Sequence, residues 1–122
     1  MKTKNKPRVY NDGVCYIVCE NKSPSSFAAR ENGTTAEDFA ELYRLMFADV
    51  SIREQDLDFA EAIGRSLNRK IKTPLVNGVN ARQKVIINNV LYDVVNADID
   101  RANSEIYLYL EEVRELVETL YH

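Results

Sequence analysis

Apolar and polar residues alternate most sharply in EIYLYLE, residues 105–111. Ile106, Leu108 and Leu110 fall on one face; Glu105, Tyr107, Tyr109 and Glu111 fall on the other. A period of two predicts a strand with one buried side. Upstream, residues 83–87 and 90–98 are rich in β-branched side chains and flank Asn88-Asn89. Asn tolerates positive φ better than other residues bearing a Cβ, so this pair predicts a two-residue type I′ turn in a hairpin. RKIKT, residues 69–73, alternates as a short strand stopped by Pro74, and the loop after it centres on Asn77-Gly78. Near the start, Asn11-Asp12-Gly13 separates two β-rich pieces and predicts a tight hairpin, while the polar residues 21–34 predict a long loop.

Helical spacing occurs in three places. REQDLDFAEAIGRSL, residues 53–67, is acidic at its start and sets Leu57, Ala60, Ile63 and Leu67 on roughly one side, predicting a helix near 54–66. Residues 35–52 pair Thr35 with Asp38 in the manner of a capping box, and Phe39, Leu42, Tyr43, Met46 and Phe47 recur at helical steps. LMFADVSI within that stretch also reads as a strand; pattern alone favours helix. At the far end Val113, Leu116, Val117 and Leu120 predict a short C-terminal helix within an extension over 111–122.

A length of 122 residues predicts one domain, 1–122, with residues 1–7 a flexible N-terminal tail. No apolar run approaches the roughly 20 residues of a membrane helix, and no apolar region follows the basic start, so no membrane partner is expected and synthesis in the cytoplasm is. Asn32-Gly33-Thr34 then matches a glycosylation sequon only by chance. The net charge of −3 argues against non-specific wrapping of nucleic acid. Cys15 and Cys19, four residues apart on one strand, stand about 13 Å apart, too far to bridge each other, and read as small apolar fillers.

Candidate chemistry is thin. Asp93, Asp98, Asp100 and Glu105 crowd one stretch, but a calcium loop starting at Asp98 would place Ala102, Asn103 and Tyr109 where an oxygen ligand, Gly and Glu are required. The carboxylates read instead as turn formers and a solvated side. A metal-dependent nuclease using Asp93, Asp98 and Asp100 is the enzymatic alternative, and a generic β-barrel interaction module a third reading. The lone histidine, His122, offers no Ser-His or Cys-His pairing, and no phosphate-cradling glycine motif is present. No catalytic residue, metal or cofactor is therefore expected. Tyr107 and Tyr109 form a candidate outward, partner-facing pair; the flanking Glu105 and Glu111 would repel phosphate, which favours protein over nucleic acid as that partner.

The order of these pieces carries a resemblance. A strand, a helix-forming insert, KIKTP (70–74), a loop, KVIINNVLYDVV (84–95), DIDR (98–101) and YLYLEEV (107–113) resemble the head–tail joining family of tailed bacteriophages, the head-completion, adaptor or stopper proteins. The likeness runs from about Arg8 to Leu116 and is strongest from Met46 onward. PRVYNDGVCYIV also looks like the family's first strands, and Tyr92 matches a Tyr in the second strand of its hairpin. The resemblance implies a mainly β barrel or sandwich of about six strands with a helical insert, and it puts a strand at YRLMFADVSI (43–52), against the helical spacing. It further implies a structural, non-enzymatic virion protein at the head–tail interface. Such a protein meets the portal and tail-side connector proteins and is a monomer or weak oligomer when free. In relatives the ring commonly holds twelve copies, with genomic DNA as passing cargo. The insert matches a mobile element that in relatives can face the DNA channel and help hold the genome in; a helix that simply caps the barrel's open end is the other, compatible reading. Arg53, Glu54, Gln55, Asp56, Asp58, Phe59 and Glu61 are thus the insert's candidate channel-facing or inter-subunit residues, and the acids among them would keep passing DNA from sticking.

Overall fold

The structure is a computed structural model that describes residues 9–20 and 39–116. Six antiparallel strands close into a barrel: β1 (Gly13–Glu20), β2 (Phe39–Asp49), β3 (Arg69–Pro74), β4 (Lys84–Ile87), β5 (Val90–Asp100) and β6 (Glu105–Glu115). Their order around the barrel is β1-β2-β3-β6-β5-β4, and one helix, α1 (Glu54–Ala62), is inserted between β2 and β3. Among the described residues no helix is long and apolar enough to cross a membrane.

Alternation decides what fills the barrel. Cys15 and Ile17 of β1, Phe47 of β2, Ile71 of β3, Val85 and Ile87 of β4, and Ile106, Leu108 and Leu110 of β6 pack into one buried cluster. Burial pushes the Cys15 thiol up to about 12, outweighing a backbone hydrogen bond and the Arg69 charge that pull it down, so it behaves as the small apolar filler expected. Phe47 sets the tightest constraint. Gly13, at φ +145°, lies under its ring, and a Cβ there would sit 3.0 Å from Phe47 Cε1. A second apolar layer covers the outside of β1, β4 and β5, where Tyr16, Val18, Ile86 and Leu91 meet Leu116.

The hairpin prediction at Asn88-Asn89 holds: both residues have positive φ, 50° and 67°, as a type I′ turn requires. Gly is commoner in the second place, and the Asn89 side chain supplies a reason for the exception. Its Nδ2 donates to the Leu116 carbonyl at 2.9 Å and the Asn89 carbonyl accepts from the Leu116 amide, pinning the end of β6 to the turn.

Several expectations need correction. Residues 39–49 are strand, so the strand that the resemblance implied at 43–52 is present but ends at Asp49, against the helical spacing. Tyr43, Leu45 and Phe47 point inward at steps of two, and Leu42 and Met46, which a helix would have buried with them, are exposed. No tight hairpin forms at Asn11-Asp12-Gly13. Residues 9–12 are not strand; Asp12 donates its amide to the Phe47 carbonyl and accepts from the Asp49 amide through Oδ2. The C-terminal helix does not begin at 111, because β6 continues to Glu115 with Leu91 opposite Arg114 and Val90 opposite Glu115. Ladder bonds to β5 outweigh the helical spacing, and Val113 is left exposed while Leu116 is buried. The tail 1–7, the loop 21–34 and residues 117–122 lie outside the described residues.

Candidate functional site

Outward residues of β3, β6 and β5 make the floor of a cleft beside α1. Ile71 points into the barrel, so its neighbour Lys70 points out, opposite Tyr109 in the ladder. Tyr107 is the next outward residue of β6, and across it on β5 stands Asp98. The connection from β2 to α1 supplies the wall: Val50, Ser51 and Arg53 complete the lining, around a volume of about 410 Å³. Val50 is tied to β3 through its amide, which donates to the Lys70 carbonyl.

An ion pair holds the helix over this floor. Asp56 Oδ2 accepts from Lys70 Nζ at 2.9 Å, with both side chains about 5 % exposed. The same carboxylate accepts from the Arg53 amide at 2.9 Å, and the Asp56 amide donates to the Arg53 carbonyl, closing the first turn. The Arg53 guanidinium lies alongside, 3.4 Å from Asp56 Oδ1. Burial pushes the Asp56 carboxyl up, but the Lys70 hydrogen bond and the Arg53 contacts outweigh it and bring its pKa from 3.8 down to about 2. Lys70 Nζ also stands 4.9 Å from the Tyr109 ring centre and 5.8 Å from that of Tyr107. Beneath the helix, Ala60 and Leu67 pack on Val95 and Tyr109.

The predicted site residues fall into two groups. Arg53, Tyr107 and Tyr109 meet at the cleft, although sequence spacing linked only the two tyrosines. Both tyrosines lie on the outer face, as alternation required. Tyr109 is nonetheless covered by the chain's own helix, and the half-buried Tyr107 is the one that remains open at the cleft. Glu54, Gln55, Asp58, Phe59 and Glu61 project from α1 to the surface. Asp56 does not, so its charge belongs to the Lys70 pair and not to any channel wall.

The helix also sits differently from the apolar spacing of its sequence. Ala60 and Leu67 are buried, but Leu57 and Ile63 are 47 % and 49 % exposed, and Phe59 is 45 % exposed. Pairing Asp56 with Lys70 turns the Asp56–Ala60 side toward the barrel and leaves those apolar groups at the flanks.

The acidic residues of the hairpin do not converge. Asp93 pairs with Lys84 at 2.5 Å and with Arg65 at 3.6 Å, and Asp100 accepts from Asn103 within the β5–β6 turn. Glu105 is buried and accepts from the Tyr10 hydroxyl at 2.7 Å. Asp93 and Asp98, five residues apart on one strand, are separated by roughly 15 Å. Among the described residues no group of three or more His, Cys, Asp or Glu is placed to hold a metal ion. Lys70 was missed from sequence as a site residue, and Asp98 was weighed there only as a metal ligand or turn former. The available signal was Lys70 in the KIK alternation, facing away from the barrel toward the two outward tyrosines.

No family model matches the chain, and no curated protein matches it.

Proposed function

We propose that this chain is a structural connector at the head–tail junction of a tailed bacteriophage, one subunit of a ring below the portal that joins capsid to tail. The observation that carries the reading is the arrangement of elements. A closed six-strand barrel bears its helix between β2 and β3, followed by KIKTP in β3 and the Asn88-Asn89 hairpin, in the order the family resemblance requires. The surface supports it. Leu42, Met46, Leu57, Phe59, Ile63 and Ile99 all stand at least 42 % exposed, apolar surface that a neighbouring subunit or partner protein can cover.

In this reading α1 lines or borders the channel. Glu54, Asp58 and Glu61 are its exposed acids, and they repel the phosphates of DNA passing through. The free chain is a monomer or weak oligomer, because the portal templates the ring. The direct biochemical test adds the purified chain to portal-bearing heads that lack it, followed by cryo-electron microscopy. A ring of density below the portal is expected; heads left unchanged at saturating protein would refute the reading.

A further inference from the structure

Two strand edges are left without a ladder among the described residues. β2 pairs with β1 from Phe39 to Phe47 but with β3 only at Ala48 and Asp49, so residues 40–46 face away from β1 unpaired. β5 pairs with β6 throughout but with β4 only from Val90 to Asp93, so residues 94–100 have an open side as well. An unpaired edge is a template for another strand unless charge or cover blunts it. Each of these edges carries charge, Glu41 and Arg44 on β2 and Asp98 on β5, but exposes apolar groups beside it, Leu42 and Met46 on β2 and Ile99 on β5.

We propose that the β2 edge of one copy pairs antiparallel with the β5 edge of the next, with Arg44 opposite Asp98. The occupant, a second copy of this chain, rests on the ring reading above; the register follows from faces and charge. In that register the inward-facing Tyr43 and Leu45 lie beside Ile99 and Ala97, which share a face with Ile106 and Leu108. The outward Arg44 and Met46 lie beside Asp98 and Asn96. Arg44 is an exposed cation, held among the described residues by a 3.4 Å hydrogen bond from its Nε to the Tyr16 hydroxyl. Asp98 is an exposed carboxylate with no hydrogen bond or ion pair among the described residues, at the rim of the cleft beside Tyr107. The neighbour's guanidinium thus reaches a carboxylate that the subunit itself leaves unpaired among the described residues, beside the half-buried Tyr107. Because the two edges differ, the contact is head-to-tail, the kind that closes into a ring when the rotation allows.

Directly opposed residues of an antiparallel pair have Cα atoms about 4.5–5.5 Å apart, within reach of a disulfide. The test mixes two full-length chains in a Cys19→Ala background, one with Arg44→Cys and the other with Asp98→Cys, at high concentration in a glutathione buffer. The mixture is expected to give a 44–98 dimer that neither chain forms alone, and Met46→Cys with Asn96→Cys is expected to do the same. Introducing Arg44→Glu should lower the 46–96 yield at least about tenfold, and adding Asp98→Arg should restore it. Products joining 44 to 44, monomers in every mixture, or a yield indifferent to the charge changes would overturn the contact. If crosslinks fail while the chain still joins heads to tails, the contact alone is wrong. Crosslinks from a chain without a role at the junction would uphold the contact and remove the connector reading.

Discussion

Removing the carboxylate of Asp56 strands a buried cation. Asp56 and Lys70 are almost fully enclosed, and among the described residues Lys70 has no other carboxylate at hydrogen-bond distance. Breaking such a pair from one side costs about 3–5 kcal/mol, because the remaining charge stays desolvated. Asp56→Ala also releases the Arg53 amide that the carboxylate caps, worth about 1 kcal/mol. Lys70→Met should cost less, since Asp56 keeps the Arg53 amide and guanidinium. The double variant should recover a large part of the Asp56→Ala loss, as an apolar pair no longer buries a lone charge.

The acid limb gives an independent handle. Asp56 has a folded pKa of about 2 against an ordinary 3.8, so its stabilisation is fully present above pH 4 and is lost as the pH falls from there through 2. At about 1.4 kcal/mol per pKa unit, the contribution is about 2.5 kcal/mol. Urea unfolding of the wild type, both single variants and the double variant at pH 7, repeated for wild type and Asp56→Asn between pH 5 and 2, measures all of this. A coupling energy below about 0.5 kcal/mol in the double-mutant cycle, or a gap between wild type and Asp56→Asn that does not shrink in acid, would refute the reasoning.

Other consequences are simpler to read. Cys15 should resist a thiol reagent at pH 8 in the native chain while the half-buried Cys19 reacts, and both should react in urea; a fast-reacting Cys15 would contradict its burial. Gly13→Ala should destabilise by about 1–3 kcal/mol in denaturant melts, since the new methyl meets Phe47 at a backbone angle that Ala resists. Phe47→Ala should cost about 3–5 kcal/mol, the usual range for a buried Phe. Arg65→Ala, which removes partly exposed pairs to Glu111 and Asp93, should change stability by less than about 1 kcal/mol.

What was legible in the sequence was what a local period can carry. The type I′ turn at Asn88-Asn89, the alternation of 105–111 and the helix expected near 54–66, which ends at Ala62, each follow from spacing within a few residues. Residues 39–49 misled because Leu42 and Met46 mimic a helical stripe; only their exposure, set by pairing with β1, separates the two readings. The same holds for 111–115, where the partner strand rather than the segment decides. The cleft was half legible. Tyr107 and Tyr109 follow from period two, whereas Asp56 reads as one more surface acid until Lys70 arrives from a strand 14 residues on. Buried pairs between elements have no local period to announce them. The inward or outward sense of Arg44 and Asp98 could be read from alternation, but the openness of their edges is a property of barrel closure.

The central claim is that this chain joins heads to tails as part of the particle. Deleting it from the genome that encodes it and imaging the resulting particles by electron microscopy tests that most directly. Filled or leaking heads with unattached tails are the predicted result, with tailed particles restored when the chain is supplied in trans. Normally tailed, infectious particles formed in its absence would contradict the account.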